Sequence, residues 1–179
     1  MDTLKVRDAK DVEQAVRAAI AGEQPIEIIG HGSKRRIGQP MATNALLDLQ
    51  ALNAVASYEP SELIITVQAG APLADVISLI DAKNQHFAFE PVDTAALLGM
   101  PHIGTVGGMI GAGLAGPRRI QAGGARDHLL GAHAVSGAPS SNAVLTGSNA
   151  NCWFLESISD STSASGAPAW TVTINSFGS

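Results

Sequence analysis

The chain has 179 residues, 45% of them hydrophobic, enough for one ordinary domain or two small subdomains and too apolar for wholesale disorder. A formal net charge of −5 removes any global reason to expect nucleic acid or an anionic membrane surface as partner. Cys152 is the only cysteine, which excludes an internal disulfide and a cysteine-based zinc site and makes a reducing, cytoplasmic setting the natural expectation.

The N-terminus, Met1 to Lys10, is charged and lacks the apolar core of a secretory signal. Val12, Ala15, Val16, Ala19 and Ile20 then recur at helical spacing, predicting an amphipathic helix over Ala9 to Ala21 that Gly22 and Pro25 close. Ile26 to Ile29 reads as a buried strand delivering the first glycine-rich loop, Gly30-His31-Gly32-Ser33-Lys34-Arg35-Arg36-Ile37-Gly38. Leu46 to Leu49 is a further strand. Ala54 to Tyr58 and Leu63 to Ala69 read as a hairpin around Glu59-Pro60-Ser61-Glu62. Gly70 breaks the chain, and Pro72 suits the first turn of a second helix with Leu73, Val76, Ile77 and Ile80 on its apolar face. Phe87 to Phe89 follows as a short strand. Alternating helices and strands of this size indicate an α/β or α+β domain.

Thr94 to Pro117 contains no charged side chain and is nominally long enough to span a bilayer. Seven glycines and the Pro101-His102 interruption argue against a spanning helix. This stretch holds the second glycine-rich segment, Gly104-Thr105-Val106-Gly107-Gly108-Met109-Ile110-Gly111, which runs into a short helix. Beyond Gly137 the composition breaks. Residues 138–179 carry only Glu156 and Asp160 as charged residues, and ten of the 42 are serine. One reading is a flexible polar tail; the other is a reading frame lost near Ala138, because natural folding sequences are locally consistent.

Glycines at both segments let backbone N–H groups approach an anion with no Cβ in the way. In the first, Gly30, Gly32 and Ser33 offer N–H donors and Lys34 to Arg36 positive potential. The plainer alternative is a glycine turn with a solvated basic face. In the second, Thr105-Val106-Gly107-Gly108 would present N–H groups at a helix start. Gly104/Gly108 and Gly107/Gly111 also have the spacing of a tight helix contact. A P-loop is excluded by spacing, and a dinucleotide fingerprint begun at Gly30 would need its third glycine where Arg35 stands. The five histidines lack metal-ligand spacing, and there is no nucleophile elbow or distinctive carboxylate pair. These residues describe binding machinery without a visible catalytic constellation.

Taken together, these segments resemble the FAD-binding domain of the vanillyl-alcohol oxidase, or PCMH, type. They are most similar to the FAD-binding subunits of bacterial glycolate oxidases (glycolate dehydrogenases). The resemblance is carried by Ile29 to Gly38, Thr66-Val67-Gln68-Ala69-Gly70, Thr105-Val106-Gly107-Gly108, Ala115-Gly116-Pro117-Arg118-Arg119 and Gly124-Ala125-Arg126-Asp127-His128-Leu129-Leu130-Gly131. It runs over residues 1–137, where the chain then reads as truncated. It implies an α+β fold of two small α/β subdomains, incomplete at the C-terminus, with FAD between them.

By that match Gly30, His31, Gly32, Ser33, Lys34 and Gly38 lie at the pyrophosphate. Gly70 approaches the adenosine side, and Thr105, Val106, Gly107 and Gly108 the pyrophosphate and ribityl region. Arg126 and Asp127 begin the segment leading to a flavin-contacting strand. Gly32 stands where some relatives carry a flavin-linked histidine, so the resemblance implies non-covalent FAD. It implies a 2-hydroxy-acid (glycolate) oxidoreductase subunit with a second flavoprotein subunit and an iron–sulfur subunit as partners, peripheral at the inner face of the membrane. No metal and no catalytic side chain are assigned. Because the family's later motifs are missing, the expectation for the isolated chain is an inactive fragment or a non-catalytic flavin-domain partner.

Overall fold

The computed structural model describes residues 2–39, 42–101 and 103–135, together with the backbone strands 142–146 and 171–178. The first subdomain comprises β1 (Asp2–Lys5), α1 (Ala9–Ala21), β2 (Ile26–Ile29) and β3 (Ala45–Asp48). Its sheet is parallel with order β1-β3-β2, so the last strand in sequence lies in the middle. Helix α1 starts where Asp8 accepts the Asp11 N–H at 2.8 Å and ends where the Gly22 N–H returns to Ala18. An Asp8→Ala variant should lose about 1 kcal/mol of unfolding free energy in a urea titration, since one N-terminal donor loses its partner.

The second subdomain opens with the antiparallel hairpin β4 (Val55–Glu59) and β5 (Ile64–Gln68). Then come α2 (Leu73–Asp81), β6 (Gln85–Phe87), and the short helices α3 (Ala95–Leu98), α4 (Val106–Ala112) and α5 (Arg119–Ala122). A 3-10 turn at Ala125–His128 leads into β7 (Leu129–Val135), followed by β8 (Asn142–Thr146) and β9 (Thr171–Gly178). The strand order is β4-β5-β9-β7-β8, and β6 also pairs with β9. Buried Gln85 locks the hairpin to β6: it accepts from the Tyr58 hydroxyl at 2.8 Å and donates to the Pro60 carbonyl at 2.7 Å.

One core cluster lies within the second subdomain and includes Ile65, Val67, Leu73, Val76, Ile80, Val106 and Leu129. The other, built on Val6, Val12, Leu47, Leu49 and Leu52, recruits Ala69 and Val135 from the second subdomain. The two units are therefore joined through shared apolar burial rather than by a bare linker.

The α+β fold of two small subdomains is borne out. Helix α1 and strand β2 occupy the expected residues, but β2 is half-buried rather than buried, with Ile28 47% exposed because among the described residues nothing covers that side, and β3 begins one residue earlier than expected. Strand β6 falls two residues before the expected Phe87–Phe89 run. Phe89 leaves the ladder and stacks between Phe87 at 5.3 Å and His128 at 5.7 Å. Strand β1 was not expected: all four residues are exposed, and only pairing with β3 makes them a strand. The uncharged stretch from Thr94 breaks into α3 and α4, and among the described residues no helix is long and apolar enough to cross a membrane. The expectations that fall on His102 and on residues 136–141 and 147–170 lie outside the described residues.

Candidate cofactor site

The two glycine-rich segments, distant in sequence, meet at the junction of the subdomains. Strand β2 ends at Ile29, and at the next residue, Gly30, a Cβ would stand 2.5 Å from Thr105 Oγ1 and 2.7 Å from its Cγ2. Glycine is required there so that Thr105 can pack onto the first loop. The next contact is polar: Ser33 Oγ and Lys34 Nζ donate to the Ile103 carbonyl at 3.5 and 3.2 Å. Gly104, with φ of 106°, has Ser33 Oγ where its Cβ would be, so only glycine fits between the loops.

The first loop is an incomplete donor set. Gly32 adopts φ of 67° and opens a tight turn in which the Arg35 N–H returns to Gly32 O and the Ile37 N–H to Lys34 O. Among the described residues, none accepts from the consecutive N–H groups of Gly32, Ser33 and Lys34. A left-handed residue followed by a right-handed turn directs successive N–H groups into one concavity, a geometry that suits an anion. Ser33 is buried at 5% exposure, and His31 beside it is half-buried.

The three basic residues after Ser33 divide their roles. Arg35 makes a two-pronged ion pair with Glu27 at 2.6 and 2.7 Å, which neutralises it locally. Arg36 Nη1 donates to Leu98 O at 3.0 Å and so caps the end of α3. Only Lys34 is directed at the loop junction. Burial lowers its pKa from the ordinary lysine value, and the nearby Asp93 charge offsets this only in part. A lysine held in that state gains from an arriving anion, which supplies the charge its surroundings lack. Unpaired donors and a partly desolvated cation on one loop fit a diphosphate group.

The second segment behaves differently from the sequence expectation. Helix α4 does start at Val106, but its N–H groups are not available. Val106 donates to Ala71 O at 2.9 Å, Gly107 to Ala69 O at 2.8 Å and Gly108 to Thr105 Oγ1 at 3.2 Å. The physical reason is that this helix start is welded to the chain leaving β5. A Cβ on Gly107 would lie 2.7 Å from the Ala69 Cβ and 2.8 Å from its carbonyl. Gly70 is likewise consumed by packing: its N–H donates to Leu52 O at 2.8 Å, and a Cβ there would strike the Leu49 carbonyl.

Gly38 adopts φ of 88° with nothing near its Cβ direction, in open space at the end of the first loop. Arg126 and Asp127 sit in the 3-10 turn packed against α4. Asp127 accepts from the Gly124 N–H at 2.7 Å, and Arg126 pairs with Asp127 at 3.7 Å. The structure thus unites Gly30, Gly32, Ser33 and Lys34 with Thr105, and gives Gly70, Arg126 and Asp127 local structural bonds.

Three participants escaped sequence reasoning: the Ile103 carbonyl, Asp93 beside Lys34, and Gln50, whose Nε2 donates to Gly30 O at 3.2 Å. A main-chain carbonyl carries no sequence signal. Gln50 would have required knowing that β3 lies beside β2. Among the described residues, no group of three or more His, Cys, Asp or Glu gathers to hold a metal.

Comparison with known proteins identifies the family of this fold. Residues 3–140 match a family model described as FAD binding domain. The chain is 36% identical over 128 residues to the glycolate oxidase subunit GlcE of Escherichia coli (strain K12), a match covering 70% of this chain and 34% of that protein. The chain therefore spans about a third of the length of this curated relative. Among solved structures, alkyldihydroxyacetonephosphate synthase superposes with a TM-score of 0.71 at 16% identity, over 98% of this chain and 31% of the other. Aclacinomycin oxidoreductase does so with a TM-score of 0.61 at 23% identity, over 83% and 29%. Those two likenesses concern the fold, which is the PCMH type. The family match covers most of the chain, including both glycine segments: this protein belongs to the FAD binding domain family, with FAD as its cofactor.

Proposed function

We propose that this chain forms the FAD-binding part of a subunit in a 2-hydroxy-acid oxidoreductase, with glycolate as substrate and further subunits as electron acceptors. The carrying observation is the first loop, where no described group accepts from the N–H groups of Gly32, Ser33 and Lys34 and the partly desolvated Lys34 ammonium, only partly offset by Asp93, stands beside them. The 36% identity to a glycolate oxidase subunit supports the substrate class. That relative's name, a subunit, supports further subunits as partners; we take these to be a second flavoprotein and an iron–sulfur protein in a cytoplasmic complex peripheral to the membrane.

When bound, FAD supplies the capacity to take a hydride equivalent from the hydroxy-acid carbon. The chain's own residues do the positioning. Gly32, Ser33 and Lys34 hold the diphosphate non-covalently through main-chain donors and one ammonium. Gly30 and Gly104 bring the loops close enough to present those donors on one surface. Thr105 to Gly108 and Gly70 form the floor that fixes the second loop, and His31 and Gly38 flank the anion seat. Arg126 and Asp127 set the turn that leads into β7. No side chain receives a catalytic role, since fold membership alone does not locate one.

A second reading is a flavin domain that binds FAD without turnover. Saturating the purified chain with FAD, removing excess and recording the flavin absorbance tests both. Stoichiometric flavin with glycolate-dependent dye reduction supports the enzyme reading. Bound flavin without reduction supports the non-catalytic partner, and a folded chain that takes up no flavin overturns the site.

Lys34 adds a pH test. Its lysine pKa is depressed in the free chain, and a bound diphosphate raises it, so binding takes up a proton on the alkaline side. FAD affinity should fall as pH rises through that lowered pKa. Lys34→Met should weaken binding by about tenfold at neutral pH, in line with the loss of one charge-assisted bond, and should flatten the pH profile. Fluorescence titrations at several pH values would check this; a pH profile unchanged in Lys34→Met would remove the lysine from the seat.

A further inference from the structure

Strands β5 and β7 bond to β9 on either side of it rather than to each other, and β9 comes from the serine-rich C-terminal region. Its register with β5 is antiparallel and uninterrupted, from Ile64↔Asn175 to Gln68↔Thr171. On the other edge, Leu129 pairs with Ile174, Gly131 with Thr173 and Ala132 with Val172. Beyond these, β6 takes the end of the same strand, Phe87↔Ser176 and Gln85↔Gly178. One eight-residue segment thus closes three strands whose connecting chain lies elsewhere.

The sequence of the segment suits that slot. Thr171-Val172-Thr173-Ile174-Asn175 alternates polar and apolar residues, the pattern of a strand with one buried face. The register sets Val172 opposite Val67 and Ile174 opposite Ile65, both at 0% exposure. Without the segment, β5 and β7 would each present an unpaired main-chain edge along the middle of the sheet.

We propose that β5, β6 and β7 form a strand-accepting groove, that residues 171–178 are its occupant, and that their docking sets the second glycine loop for FAD. The last clause rests on the cofactor reading above. The route is short. Strand β5 runs directly into Ala69 and Ala71, whose carbonyls hold the N–H groups of Gly107 and Val106. Strand β7 emerges from the turn carrying Arg126 and Asp127, which packs against α4. Docked β9 fixes these two supports relative to one another.

The test uses the full chain carrying Thr173→Pro, which removes a donor at a position paired on both sides, with Thr173→Val as the tolerated control. Hydrogen exchange is followed in peptides covering 64–68 and 129–135, with 45–48 in the first sheet as internal reference. Thr173→Pro should accelerate exchange in both second-sheet peptides by at least about tenfold while the reference keeps its protection. A synthetic peptide of residues 169–179 should restore protection and FAD uptake together, and the same peptide with Thr173→Pro should restore neither. Unchanged exchange in Thr173→Pro, or a collapse including 45–48 that the peptide does not reverse, would overturn the groove. Protection that is lost and restored in a chain binding no FAD in any form would uphold the groove and sink the cofactor reading separately.

Discussion

Aspartate at Gly32 is expected to lower FAD affinity by about a hundredfold, while asparagine at the same position costs only a few-fold. Both residues tolerate the left-handed backbone that Gly32 adopts at φ of 67° better than other side chains do. Both also meet the same neighbour, the Arg35 Cδ at 3.3 Å, a flexible chain that can move aside. The pair therefore isolates charge. A carboxylate about 5 Å from a phosphate charge costs on the order of 3 kcal/mol at an effective dielectric near 20. At ~1.4 kcal/mol per decade, that is roughly two orders of magnitude in dissociation constant. Equal affinities for the two variants in a fluorescence titration would show that no anion sits against this loop.

The largest stability loss is expected at Gly70, for a reason unrelated to the ligand. Its added Cβ would strike the Leu49 carbonyl and lie 2.8 Å from that of Leu52, both main-chain atoms that no rotamer change can move. Gly70→Ala should cost about 3 kcal/mol or more, at the upper end of overpacking effects. Gly111→Ala provides the contrast. That glycine lies within α4, is exposed and has nothing within 4 Å of the Cβ direction, so alanine should stabilise by about 0.5–1 kcal/mol. Urea denaturation of the two variants side by side gives opposite signs if this account holds. A Gly70→Ala chain as stable as the parent would mean that the approach of Ala69–Ala71 to Leu49 is looser than described.

These two glycines show where sequence reading stops. Gly32 and Gly70 are the same letter, and both fell within motifs that point to a dinucleotide. One lacks a side chain because a loop must turn left-handed and expose donors; the other because two carbonyls occupy the space. The division among the basic residues was equally hidden. Lys34, Arg35 and Arg36 are adjacent in sequence, yet Glu27 takes one, Leu98 O another, and only the third faces the junction.

Local signals were reliable where the cause was local. Asp8, the apolar spacing from Val12 to Ile20, and Gly22 suffice to bound α1, because caps and one buried face act within a few residues. Strand β2 and its loop were legible because an apolar run ends in glycine. Strand β1 was not, since four exposed residues acquire strand geometry only from the neighbour they pair with. Strand β9 belongs to the same class, its partners being forty or more residues away in sequence.

By itself the sequence determined the family and the cofactor class, through its resemblance to a known domain, and the α+β content, because hydrophobic period is written residue by residue; its glycine placement pointed to the first loop as a candidate anion seat. Tertiary structure alone decided which donors remain unspent, which cation faces them and which strand closes the sheet. Each of those depends on what a group has already bonded to across the fold, and hydrogen-bond partners distant in the chain leave no periodic trace in it.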